Sequence, residues 1–138
     1  MFDPLQDKGL IPQISQIHAD CITHDHQLAT FLPPLDQQKM ISYWEKVVAR
    51  VENGDAALIL QFAPESNDEV AGYVVLGMPN AETGPFRGDV LKLMVSTKYR
   101  RMGVARRLMT KLEEIAREKH RELLVCHDFS NRCGISRA

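Results

Sequence analysis

The chain has 138 residues, 44% hydrophobic and 25% charged, with a formal net charge of −1, the size and balance of one globular domain, which excludes collagen-like, coiled-coil and wholly disordered classes. Its longest apolar runs, such as Ala56 to Leu60 and Tyr73 to Leu76, fall far short of the ~18 residues a membrane helix needs; Met1-Phe2-Asp3-Pro4 also lacks a signal-peptide pattern, so no membrane partner and a cytoplasmic location are expected. The near-neutral total gives no reason to expect nucleic acid as a partner, yet Lys98 to Arg121 hold nine Lys/Arg against three Glu, a local +6 that leaves −7 for the rest.

Pro12 suits a first helical turn, and Ile14, Ile17, Cys21, Ile22 and Leu28 follow at helical spacing, which predicts a helix over about 12–28. His18, His24 and His26 come without a Cys or carboxylate cluster and read as exposed surface histidines, not ligands. Cys21, Cys126 and Cys133 are odd in number and far apart, so neither a disulfide framework nor a metal site is expected, and all three read as thiols. Phe31-Leu32-Pro33-Pro34-Leu35 breaks the chain. Asp36 is a suitable N-cap; Met40, Ile41, Trp44, Val47, Val48 and Val51 then mark one face of a second helix that Asn53-Gly54 closes. Trp44 and Tyr43 read as core aromatics.

Two β-rich runs, Ala56 to Phe62 and Val70 to Met78, flank the turn-rich Pro64 to Asp68 and predict a hairpin. After the loop 79–85, Asp89 to Val95 (DVLKLMV) predicts an interior strand. Val104, Leu108, Leu112, Ile115 and Ala116 mark an amphipathic helix from near Gly103 to about Lys119, and Arg121 to Cys126 predicts a fourth strand. Strand, turn, helix, strand is a βαβ unit whose two strands should be parallel. Asp128 to Ala138 shows no periodicity.

The chemistry concentrates where the strand at 89–95 meets the helix opening at Gly103. A helix N-terminus carries unsatisfied N–H groups and partial positive charge, so a turn that lets backbone approach a phosphate makes an anion site. Gly103 allows that approach, Ala105 adds no bulk, and Lys98, Arg100, Arg101, Arg106 and Arg107 supply charge for several phosphates. Basic residues at a helix start oppose the helix dipole, which itself argues for a bound anion. The pattern is neither GxxxxGK[ST] nor a three-glycine dinucleotide turn.

Arg100-x-x-Gly103-x-Ala105, following an apolar strand and opening an amphipathic helix, resembles the Q/R-x-x-G-x-G/A signature of the GCN5-related N-acetyltransferase (GNAT) superfamily. The element order from about residue 12 to 127 is similar too, and DVLKLMV, the signature and RELLV look most similar to small-molecule acetyltransferases of the tabtoxin-resistance type. The resemblance implies an α/β fold, a GNAT-type mixed sheet flanked by helices in a single domain, with acetyl-CoA as co-substrate, no metal, and a small-molecule acceptor. It implies that Leu93, Met94 and Val95 pair with the pantetheine arm. It also implies that Arg100, Arg101, Met102, Gly103, Val104, Ala105 and Arg106 form the pyrophosphate turn. A neutral amine would attack the thioester directly, with an N–H near Val95 polarising the carbonyl and Asp89 or Asp128 taking the proton, directly or through water. The alternative for Asp89 is a solvated turn residue that starts the strand; Asp128 sits where the chain loses its pattern, and His127 reads as an exposed strand-end histidine.

Two departures from the family are expected. The strand that normally precedes the first helix is poorly represented in Met1 to Ile11, and after about residue 128 the final helix, its tyrosine acid and the last hairpin are lacking, as in a truncated form. Leu123, Leu124 and Val125 should then lie on an open sheet edge, inviting self-association. The alternative to an active enzyme is a non-catalytic remnant that binds coenzyme A or another chain. A DNA-binding helix fits less well, since Glu113, Glu114 and Glu118 would face phosphates.

Overall fold

A computed structural model describes residues 1–25, 34–80, 82, 84–126 and 134–137. Helix α1 (Ile11–Asp25) follows a short 3-10 turn at Lys8–Leu10, and α2 (Gln37–Glu52) is capped by Asp36, whose Oδ1 accepts from the Gln38 and Lys39 amides at 2.9 and 3.3 Å. These caps satisfy two of the donors that a helix start leaves open. Gly54, with φ +79°, turns the chain into the first strand.

Strands β1 (Ala56–Ala63), β2 (Ser66–Gly77), β3 (Arg87–Val95), β4 (Leu123–Cys126) and β5 (Gly134–Arg137) form one sheet in the order β1-β2-β3-β4-β5. Only β3 and β4 are parallel, and α3 (Val104–Glu118) connects them, as the βαβ pattern requires. The hairpin, the interior strand and all three helices therefore stand where the apolar periodicities put them. No strand forms in residues 1–11; a single backbone bond, Phe2 N–H to Leu58 C=O at 2.8 Å, ties that segment to β1.

Sheet alternation divides the core into two layers. Leu58, Tyr73, Val75 and Met94 pack with Ile14, Ile17, Cys21, Trp44 and Val48 on the α1/α2 side. Ala57, Ile59, Val74 and Leu76 pack with Val104, Leu108, Leu112 and Ile115 of α3 on the other. Trp44 lies at the centre of the first layer, edge-on to Tyr73 at 5.0 Å between ring centroids.

Two expectations are overturned. His18 is not on the surface: it is 0% exposed, on the inward stripe of α1 that also carries Ile14 and Cys21, and its ring lies 5.7 Å from the Trp44 ring. Its spacing of four after Ile14 and three before Cys21 puts it on the buried face, and a neutral imidazole is apolar enough to sit there. His24 is exposed, and His26 lies outside the described residues. The tail is not structureless either: β5 pairs antiparallel with β4, Leu124 against Ser136 and Val125 against Ile135, so the edge at Leu123–Val125 is covered. A four-residue strand leaves too short a pattern to read, and backbone pairing rather than periodicity makes it.

Candidate active site

β2 and β3 are in register from Gly77↔Asp89 to Val75↔Leu91, and again from Tyr73↔Met94 to Gly72↔Val95. Between them β3 carries one extra residue, a bulge at Lys92-Leu93 in which Lys92 takes φ +50°. Such a bulge bends the strand. On the other side, the pairing of β3 with β4 ends at Val90↔Cys126. Among the described residues no strand pairs with Leu91–Val95 on that side.

The ladder fixes which way that backbone faces. The Ser96 N–H donates to the Ala71 carbonyl at 2.8 Å, so the neighbouring pair Gly72↔Val95 is a non-hydrogen-bonded one and the N–H and C=O of Val95 point away from β2. The Val95 carbonyl accepts from Cys21 Sγ of α1 at 3.6 Å.

Beyond β3 the chain makes a 3-10 turn at Thr97–Tyr99 and enters α3 through two left-handed residues, Arg101 (φ +61°) and Gly103 (φ +75°). The first helical bond of α3 runs from the Arg107 N–H to the Gly103 carbonyl at 3.1 Å. The amides of Val104, Ala105 and Arg106 precede it and have no intrahelical acceptor. No acidic residue lies in that first turn.

Around this corner is a cleft of about 460 Å³. Of the ten residues expected to hold a coenzyme, nine line it: Leu93, Met94, Val95, Arg100, Arg101, Gly103, Val104, Ala105 and Arg106. Met102 does not; its side chain is exposed. The cleft thus has an apolar stretch along β3 and a cationic end at the start of α3, a shape that fits a long ligand with an apolar arm and phosphates. Two of the five basic residues expected around the turn, Lys98 and Arg107, do not line the cleft. Lys98 Nζ is 3.2 Å from Glu69 Oε1 on β2, and hydrogen bonds from Lys98, then Tyr99, hold the Glu69 carboxyl below its usual range. Arg107 is turned toward Gln61 on β1.

Cys21 and Tyr99 also line the cleft, and sequence reasoning missed both. Tyr99 adjoins the Arg100 motif, so proximity could have suggested it. Cys21 is 74 residues from Val95 in the chain and 79 from Arg100, whose Nη2 lies 3.8 Å from its sulfur; no local pattern announces that approach. Neither Cys21 nor Cys126 is in a disulfide, and Cys133 lies outside the described residues.

Asp89 is far along β3 from this corner. It is paired in register with Gly77 and Val125, and its Oδ1 accepts from Arg87 Nε at 2.7 Å with the side chain 20% exposed. Asp128 and His127 lie outside the described residues. Among the described residues no group of three or more His, Cys, Asp or Glu could hold a metal, and no helix is long and apolar enough to cross a membrane.

The acetyltransferase (GNAT) family model matches residues 14–133. No curated protein sequence matches the chain. Among solved structures it is similar to an N-acetyltransferase from Staphylococcus aureus Mu50, with 22% identity and a TM-score of 0.68, over 91% of this chain and 72% of that one. It is also similar to ribosomal-protein-alanine N-acetyltransferase from Brucella melitensis, with 21% identity and a TM-score of 0.65, over 86% and 68% of the two chains. An aminoglycoside 6'-N-acetyltransferase complexed with coenzyme A shares 14% identity at a TM-score of 0.59, over 86% of this chain and 54% of that one. The fold, the left-handed turn into α3 and the match over residues 14–133 agree: the chain belongs to the acetyltransferase (GNAT) family.

Proposed function

We propose that the protein transfers the acetyl group of acetyl-CoA to an amine of a small molecule, in the manner of the tabtoxin-resistance type. The observation that carries this reading is the corner of β3 and α3. There an outward-facing strand edge leads directly to a left-handed turn whose following amides have no intrahelical acceptor. Family membership and the coenzyme A complex of the aminoglycoside enzyme support it.

In this reading the amides of Val104, Ala105 and Arg106 and the side chains of Arg100, Arg101 and Arg106 hold the pyrophosphate. The β3 edge from Leu93 to Val95 holds the pantetheine arm. The Val95 N–H, turned away from β2, is aimed to donate to a thioester oxygen as negative charge develops on it. The coenzyme supplies an acetyl group as a thioester. The acceptor ammonium must lose a proton before it attacks, to Asp128 directly or through water, or to Asp89, which lies far along β3 from Val95, through a chain of waters. For Asp89, the Arg87 guanidinium at 2.7 Å keeps the carboxylate oriented.

Titrating coenzyme A calorimetrically, then supplying acetyl-CoA with a panel of small amines and following thiol release, tests the reading. Saturable coenzyme binding and amine-dependent thiol release are expected. Binding without turnover on any amine would leave a coenzyme-binding protein, and absence of binding would remove the reading altogether.

A further inference from the structure

On β1 the side chains alternate between the two layers. Leu58, Leu60 and Phe62 pack toward α1 and α2, Ala57 and Ile59 toward α3. The next position on the α3 face is Gln61, a polar residue where the alternation asks for an apolar one. It is half-buried. Its amide is satisfied with the oxygen toward Arg107, where it accepts from Nε at 3.0 Å and Nη2 at 2.8 Å.

This contact decides how the Arg107 guanidinium faces. The planar fork is gripped by one edge, through Nε and Nη2, which fixes both its plane and its rotation. The remaining nitrogen, Nη1, then stands 3.2 Å from where a Cβ on Gly103 would be, with Cζ at 4.0 Å. The ungripped edge therefore lies over the left-handed turn that opens α3. A neutral amide orients the cation without cancelling its charge, which a carboxylate at the same place would do.

We infer that Gln61 is a positioning residue for coenzyme binding: it holds Arg107 so that Nη1 donates to the diphosphate bridge seated against the Gly103 turn. Arg100, Arg101 and Arg106 supply charge from the cleft side, and Arg107 supplies it from the β1 side. The inference rests on the coenzyme reading above and adds a residue that touches no ligand.

Calorimetric titration of coenzyme A and of dephospho-CoA into wild type, Gln61→Leu, Gln61→Glu, Arg107→Ala and the double variant Gln61→Leu/Arg107→Ala tests it, with thermal unfolding of each. Arg107→Ala should weaken binding about tenfold, the scale of one charge-assisted hydrogen bond. Gln61→Leu should weaken it several-fold while leaving Tm unchanged or higher, because leucine suits the apolar face. The double variant should bind no more weakly than Arg107→Ala alone, since Gln61 acts only through Arg107. Gln61→Glu should also lose affinity, by neutralising the cation that it holds. Dephospho-CoA keeps the diphosphate but lacks the 3′-phosphate and should show the same ratios. Losses that add in the double variant, or unchanged binding by Gln61→Leu, would overturn the positioning role. Losses that vanish with dephospho-CoA would overturn the diphosphate assignment. If wild type itself fails to bind coenzyme A, the coenzyme reading falls; if wild type binds and Gln61→Leu binds equally well, only the role of Gln61 falls.

Discussion

A Cβ on Gly72 would stand 2.9 Å from Cγ1 of Val104 and equally close to the Met94 carbonyl oxygen. The first turn of α3 thus rests directly on the β2 backbone, and the absence of a side chain at residue 72 sets how close that turn comes to the end of β3. Gly72→Ala should force α3 outward, because the carbonyl cannot yield as a flexible side chain can. The expected loss is about 1–3 kcal/mol of stability, the range for overpacking, together with weaker coenzyme binding. Chemical denaturation and calorimetry measure the two separately; wild-type values in both would show that α3 does not need this approach.

Gly103 lies at the other end of the same geometry. Gly103→Val places a β-branched residue at φ +75°, a region such residues avoid. It should reduce coenzyme affinity more than Arg106→Ala, whose charge Arg101 partly replaces. Titration of both variants, with circular dichroism to confirm folding, checks the order; a folded Gly103→Val that binds normally would take the site away from this turn.

His18 makes stability depend on pH. Its pKa is lowered from 6.5 to about 4, first by desolvation and second by the Lys92 charge. The folded protein keeps the imidazole neutral, whereas the unfolded chain protonates it below pH 6.5. The stabilising contribution is therefore complete above pH 6.5, is lost as pH falls toward 4, and changes no further below that. The difference of ~2.5 pH units corresponds to about 3 kcal/mol. Urea unfolding at pH 7.5 and 4.5 should show most of this loss in wild type and less of it in His18→Phe; equal pH dependence in both proteins would exclude His18 as its source.

If Asp89 takes the acceptor proton, Asp89→Asn should lower turnover roughly 10²-fold, the usual scale for a general base. Coenzyme affinity should hold, since Asp89 lies away from the cleft. The pH–rate profile should change with it. A variant whose profile is unchanged would leave the role to Asp128.

Strand β5 alters the expectation for Val125. Its backbone lies between Asp89 of β3 and Ile135 of β5, so it is an interior strand position, not an edge one. Val125→Lys should lower Tm and reduce solubility rather than improve it. A gain in solubility without loss of Tm would mean that β5 does not hold in solution.

The apolar periodicities of α2, α3 and β1–β3 are strong enough to read directly, because each element buries one face and the period of its residues records which. The Arg100-x-x-Gly103-x-Ala105 turn was also legible, since a glycine at a helix entry and the charge around it are local properties of a few neighbouring residues. The tertiary structure decided what depends on distant segments meeting. It buried His18 beneath Trp44, drew Cys21 to Val95, turned Arg107 onto Gln61 and Lys98 onto Glu69, and laid β5 along β4. Apart from His18, whose spacing from Ile14 and Cys21 already marked the inward face of α1, none of these contacts leaves a periodic trace, because each joins side chains or strands whose separation in the chain is set by the packing of the sheet between its two helical layers.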